Sequence, residues 1–212
     1  TTLFRSGKAG KKSAEAYEYK TGDNVVRLIG GILPRYVYWL KGTNGKDIPL
    51  ACLAFNREDE KFNSTDIDHV PSYYPDKKCS WAYAVNCIDI ANQKVVALNL
   101  KKKLFEQIIS FAGDIESDPT DFDEGFDIVF KKVKTGPLPF NVEYTLSQIK
   151  SKKRPLTEAE REMALAAQDI DSKFPRPTPA EQKATLDKII AGASDEADGA
   201  DSEAAGEAAK DI

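Results

Sequence analysis

Strand-rich sequence on either side of one amphipathic helix, with two strands following it, predicts a mainly β chain built on an OB-fold barrel. The expected barrel is five-stranded, with the helix between strands 3 and 4. A polar interruption at about 42–79 predicts an inserted loop or subdomain, and capping motifs beyond Lys150 predict C-terminal helices. The expected division is a flexible basic arm at 1–20, the OB-fold domain at 21–150, a helical extension at 151–191 and a disordered acidic tail at 192–212.

The elements follow in order. Residues 1–20 carry Arg5, Lys8, Lys11 and Lys12 among glycines, with order expected from about Thr21. Asn24–Gly31 and Arg35–Lys41 are β-branched and aromatic. They read either as one strand kinked at Gly30–Pro34 or as two paired strands. Asn44-Gly45 signals a hairpin turn, and Ile48–Phe55 reads as its returning arm. Residues 56–79 are rich in turn formers and longer than most structureless loops. Ser80–Ile90 and Lys94–Lys101 read as a hairpin, with Trp81, Tyr83, Val85 and Cys87 on one face of its first strand. Lys101–Ala112 has a helical stripe of Leu104, Phe105, Ile108, Ile109 and Ala112, and Gly113 is the expected stop. Gly125–Lys134 and Phe140–Ser147 are the last two strands. Thr157 with Glu160, and Thr178 with Glu181, form capping boxes, the second with Pro179 at the first helical position.

Charge is divided unevenly. The chain carries 30 Lys/Arg and 34 Asp/Glu, of which 6 and 14 lie from Pro155 onward, so the preceding body is basic. A basic body with an acidic extension suits a polyanion binder carrying its own competitor, or an ordinary domain with a solubilising tail. No apolar run approaches the roughly 20 residues that span a bilayer, and Thr1–Lys20 lacks a signal peptide's apolar stretch. The expected setting is cytoplasmic, with no membrane partner. Three cysteines without regular spacing fit a reducing compartment.

Cations track phosphates and aromatic faces stack bases in single-strand binders. The candidate residues are Arg27, Arg35, Tyr36, Tyr38 and Trp39, then Tyr73, Tyr74, Lys77, Lys78, Trp81 and Tyr83, and finally Lys101, Lys102, Lys131, Lys132 and Lys134. Tyr73 and Tyr74, in a polar loop, are the leading candidates for exposed stacking. Alternation separates Tyr36, Tyr38 and Leu40 from Val37 and Trp39, predicting that one group is buried and the other exposed. Cys52, His69, Cys79 and Cys87 lack paired metal-ligand spacing, so no metal and no cofactor is expected. One histidine, with no phosphate-binding glycine loop and no nucleophile arrangement, argues against an enzyme.

In motif order, the GKKS arm, NVVRLIGG, SWAYAV, KVVALNLKKKLFEQI, GFDIVFKKV and an acidic tail resemble the single-stranded DNA-binding, helix-destabilising proteins of T-even-type tailed phages. The correspondence covers roughly residues 8–150. The resemblance implies an OB barrel that binds single strands in a basic, aromatic groove, with Trp81, Tyr83, Lys101 and Lys102 in or beside it. It implies that the arm, including Lys11, Lys12 and Ser13, serves self-association on DNA. It also implies that the tail recruits replication and recombination proteins. The family's closely spaced zinc cysteines are absent here. A protein-interaction module, such as a phage transcription or polymerase regulator, and an RNA-binding OB protein are the competing expectations.

Overall fold

Alternating β-branched and aromatic residues place one side chain in two on each face of a strand, and here both faces find cover. The computed structural model describes residues 15–42, 45, 47–138 and 141–192. Along the chain run β1 (Gly22–Leu33), β2 (Tyr36–Lys41), β3 (Asp47–Ala51), α1 (Val70–Tyr73), β4 (Ser80–Trp81), β5 (Ala84–Asp89) and β6 (Lys94–Asn99). Then come α2 (Lys102–Asp114), β7 (Ile128–Lys134), β8 (Val142–Leu146), α3 (Glu158–Leu165), α4 (Ile170–Lys173) and α5 (Pro179–Ile190). The fold is mainly β: a five-stranded antiparallel sheet in the order β6-β5-β1-β7-β8, and a smaller sheet in the order β3-β2-β4.

The chain from 24 to 41 is neither one kinked strand nor a hairpin. A register shift between Ile29 and Ile32, with Gly30 at φ +72°, bends the end of β1. Pro34 then lets β2 leave for the smaller sheet, where it pairs with β3 and β4. The insertion therefore includes Tyr36–Lys41. The expected strand Ser80–Ile90 is likewise split, β4 joining the small sheet and β5 the large one. Gly113 does not stop α2, which continues to Asp114 and caps at Ile115.

One face of the large sheet packs Val26, Leu28, Val85, Cys87, Val96, Leu98, Ile128 and Phe130 against Leu104, Ile108 and Phe111 of α2. The opposite face is closed by the C-terminal segment. Leu156 packs on Ile29 and Ile88 beside Met163 and Ala164 of α3, and Ile170 of α4 packs on Leu33, Ala84 and Ala97.

The two outer strands are finished differently. Residues 15–17 run beside β6, where Tyr17 N donates to Ala97 O at 2.8 Å and Ala97 N to Glu15 O at 2.9 Å. Along β8, the Gln107 side chain donates to Tyr144 O at 3.1 Å and accepts from Leu146 N at 2.8 Å, as a neighbouring strand would. Tyr17 and Tyr19 pack edge-on and tilted against Phe130, and Tyr19 packs on Tyr144. The expectation that order begins near Thr21 is thereby corrected: burial of these two rings draws the preceding residues into the fold. The arm's remaining residues, 1–14, and the tail from 193 lie outside the described residues.

The polar stretch 52–79 is organised by side chains that composition does not expose. Asp68 accepts from Leu53 N at 3.0 Å, from Tyr38 Oη and Val70 N at 3.1 Å, and from Gln182 Nε2 at 3.1 Å. Arg176 donates to Leu53 O at 2.6 Å, to Phe55 O and to Asp66. Leu186 of α5 completes the apolar cluster of Tyr38, Leu40, Leu50, Cys52, Phe55 and Val70. No helix among the described residues is long and apolar enough to cross a membrane.

Candidate nucleic-acid interface

Antiparallel pairing of β2 with β4 sets Tyr36 opposite Trp81. Trp81 stacks on Tyr83 with centroids 3.6 Å apart and planes 12° from parallel. Phe105, from the first turn of α2, lies 5.4 Å from Trp81 and 6.0 Å from Tyr83. Tyr36, Phe55 and Phe62 form a second group of rings, with Tyr36 at 4.7 Å from Phe55 and 5.1 Å from Phe62. Phe62 is the outermost ring, 58% exposed. Trp81 and Phe105 are half-buried and Tyr83 is covered.

The polar groups among these rings are few. Tyr83 Oη donates to Glu60 at 2.6 Å. Burial first, and then this carboxylate, push the Tyr83 hydroxyl well above the usual phenol range, so it remains a neutral donor. The Trp81 indole N–H is buried with no hydrogen-bond partner among the described residues. Lys102 and Lys103 stand in the first turn of α2, which holds no acid. The positive end of the helix adds to their charge beside Phe105.

The sequence candidates separate in space. Trp81 and Tyr83 stack together, with Tyr36 opposite Trp81 in the strand pairing and Lys102 on the helix that supplies Phe105. Lys77 and Lys78 are exposed on the connection into β4, and Lys131 and Lys134 are exposed on β7. Tyr73 and Tyr74 are half-buried against the insertion's apolar cluster, and Tyr73 Oη donates to Asp187 of α5 at 2.5 Å. The expectation of a free polar loop is corrected there, because α5 supplies the apolar surface and the carboxylate.

Six further candidates lie inside the fold. Arg27 is fully buried, donating to Arg154 O at 3.1 Å and Asp121 O at 2.6 Å, with Asp127 at 3.7 Å. Arg35 is buried beneath the Phe174 ring at 3.8 Å and donates to Asn99 Oδ1 at 2.7 Å. Tyr38 is held by Asp68, and the Trp39 indole donates to Ser80 Oγ at 3.1 Å. Lys101 is buried over the Tyr19 and Tyr144 rings at 5.5 and 6.0 Å, and Lys132 donates to Tyr19 O at 3.1 Å. Each of these cations or rings meets a partner contributed by a distant segment. The expected split of β2 into buried and exposed faces fails for the same reason: Val37 and Trp39 pack with Ala82, while Tyr38 and Leu40 face α5.

Phe62, Phe105 and Glu60 were not singled out in the sequence. Phe105 reads as part of the α2 stripe, and Phe62 is one apolar residue in a polar run. Cys52, Cys79 and Cys87 are free thiols. Burial pushes the Cys87 thiol up, toward the unreactive form. No group of three or more His, Cys, Asp or Glu placed to hold a metal ion occurs among the described residues.

No family model matches the chain. It is similar to a probable ssDNA-binding protein of Escherichia phage T5, at 31% identity over 147 residues, 64% of this chain and 55% of the relative. The chain thus spans about half the length of the curated relative it matches.

Proposed function

We propose that this chain is a phage single-stranded DNA-binding protein that acts without catalysis, by stacking bases and neutralising phosphates. The observation that carries the reading is the Trp81–Tyr83–Phe105 cluster, flanked by the lysine-bearing start of α2 and tied through Glu60 to the turn that bears the open Phe62 ring. Base–aromatic stacking tolerates any sequence and contributes about 1–3 kcal/mol per base. Similarity to the phage T5 protein supports the same ligand. Kinship with the T-even-type helix-destabilising proteins is the finer form of this proposal, resting on the motif order described above.

We read the large sheet as an OB barrel. Its first strand is β1, its second and third are β5 and β6, and α2 precedes the fourth and fifth, β7 and β8. The insertion falls between the first and second strands. Where β6 and β8 would close the barrel, residues 15–17 and Gln107 occupy the gap. The protein would protect single strands in the host cytoplasm during viral replication, recombination and repair. The acidic tail would compete for the groove and recruit replication and recombination proteins, and the basic arm would support self-association on DNA.

Titration with oligo-dT and with matched duplex, followed by tyrosine and tryptophan fluorescence at two salt concentrations, tests the reading. Quenching by the single strand, weakened steeply by salt as counterions are released, is the expected result. No response to the single strand at either salt concentration would move the assignment to a protein-interaction module.

A further inference from the structure

Glu60 puts a carboxylate among these rings, which a surface that only attracts phosphates would not carry. It sits at the tip of a pre-formed turn. Asn56 N donates to Lys61 O at 2.7 Å, Asn56 Oδ1 accepts from Glu58 N at 2.9 Å, and Asn63 donates to Asp59 at 2.9 Å. Arg57 ties the turn to the C-terminal segment through Phe174 O at 2.9 Å and Asp171 at 3.6 Å. Glu60 itself has φ +51°, a left-handed conformation that a non-glycine residue adopts at a cost. One of its carboxylate oxygens takes the Tyr83 hydroxyl. The other has no partner among the described residues, and the residue is exposed.

Two positions further along the same turn, Phe62 offers its open ring. A flat ring and a fixed acceptor on one turn are the two elements of base recognition: a face to stack on and a group that reads the edge. A carboxylate only accepts hydrogen bonds. The cytosine N4 amino group is a donor that carboxylates recognise, whereas thymine presents its O4 acceptor at the same place.

We propose that Glu60 is a base-reading residue, its free oxygen accepting from the amino group of a base stacked on Phe62, so that the cleft favours cytosine over thymine. The proposal rests on the single-strand reading above. The repulsion between Glu60 and phosphates acts on every sequence alike, so a preference between bases separates edge reading from a merely repulsive charge.

The test measures dissociation constants for equal-length oligo-dC and oligo-dT, by fluorescence anisotropy at one salt concentration, for the full chain and for Glu60→Gln. Glutamine keeps one acceptor, which Tyr83 occupies, and turns the other position into a donor that suits thymine. The expected result is that the ratio of the oligo-dT to the oligo-dC constant falls by roughly ten- to a hundredfold in the variant, the contribution of one charge-assisted hydrogen bond. Equal tightening on both oligonucleotides would overturn the proposal and leave Glu60 as a repulsive charge. Unchanged affinities would overturn it as well. If the unaltered chain bound neither oligonucleotide, the single-strand reading would fail and this proposal with it.

Discussion

Trp81 and Gly125 show how single positions divide between binding and folding. Trp81 is half-buried, stacked on Tyr83 and touching Phe105, and keeps part of its surface exposed. Trp81→Ala is expected to weaken oligo-dT binding by about 1–3 kcal/mol, the contribution of one stacked base, while Trp81→Phe restores most of it. Anisotropy titration of the three proteins, with melting curves as a folding control, checks this. Restoration by phenylalanine separates stacking from loss of the indole N–H. Gly125 acts on folding instead. A Cβ there would stand 2.3 Å from Asp121 O, 2.7 Å from Arg27 Nη2 and 3.0 Å from Asp118 O. The buried Arg27 guanidinium organises that loop and the chain at Arg154, so the loop cannot retreat without losing its hydrogen bonds. Gly125→Ala is expected to cost about 2–3 kcal/mol in urea unfolding. Arg27 explains why charge alone misled at this scale. A lone cation on a strand looks like a phosphate contact until the carbonyls of residues 121 and 154, about a hundred positions away, are seen to surround it.

At the scale of elements, local signals were legible wherever the local chain contained the cause. Two of the three C-terminal helices, α3 and α5, start at their capping boxes, with Thr157 and Thr178 accepting from Glu160 N and Glu181 N. The stripe of α2 buries Leu104 and Ile108 as its spacing predicts, but Ile109 is exposed and Phe111, outside the stripe, is buried in its place. The hairpin of β2 with β3 was legible from Asn44-Gly45, but the departure of β2 into a second sheet was not, because its other partner, β4, lies about 45 residues on and the Gly30 bend permits several exits. Residues 15–17 pair with β6 through backbone atoms, which leave no sequence pattern. The start of α3 also carries a pH dependence. Arg154 grips Glu160 with two bonds of 2.6 and 2.7 Å, and with Thr157 N this lowers the buried carboxyl from 4.5 to about 2. A lowered acid stabilises the fold above its unfolded pKa, and that stability is lost as pH falls from about 4.5 toward 2. The contribution is up to about 3 kcal/mol. Glu160→Gln should therefore lower the melting temperature at pH 7 and flatten its fall between pH 4.5 and 2, as calorimetry across that range would show.

Across the whole molecule, the C-terminal segment joins what the sequence presents as separate regions. It covers the outer face of β5 and β6 with Ile170, fixes the insertion through Arg176 and Gln182, and ends on α5 packed by Leu186. OB folds commonly bind oligonucleotides on the face of their second and third strands. In the OB reading that face is taken here, which leaves the aromatic rings beside the insertion as the path for a single strand. The same packing holds α5 to the insertion, where Tyr73 donates to Asp187. Residues 193–212 carry seven acids against one lysine, and without them the chain's net charge of -4 becomes positive. An acidic segment on the same chain acts at high effective concentration, and salt screens its attraction to the lysines as it screens that of DNA. Deleting residues 193–212 is therefore expected to tighten oligo-dT binding several-fold at low salt, with the gain shrinking as salt rises and the melting temperature unchanged. Equal affinity of the full and shortened chains at low salt would leave the tail a role in recruiting partners only.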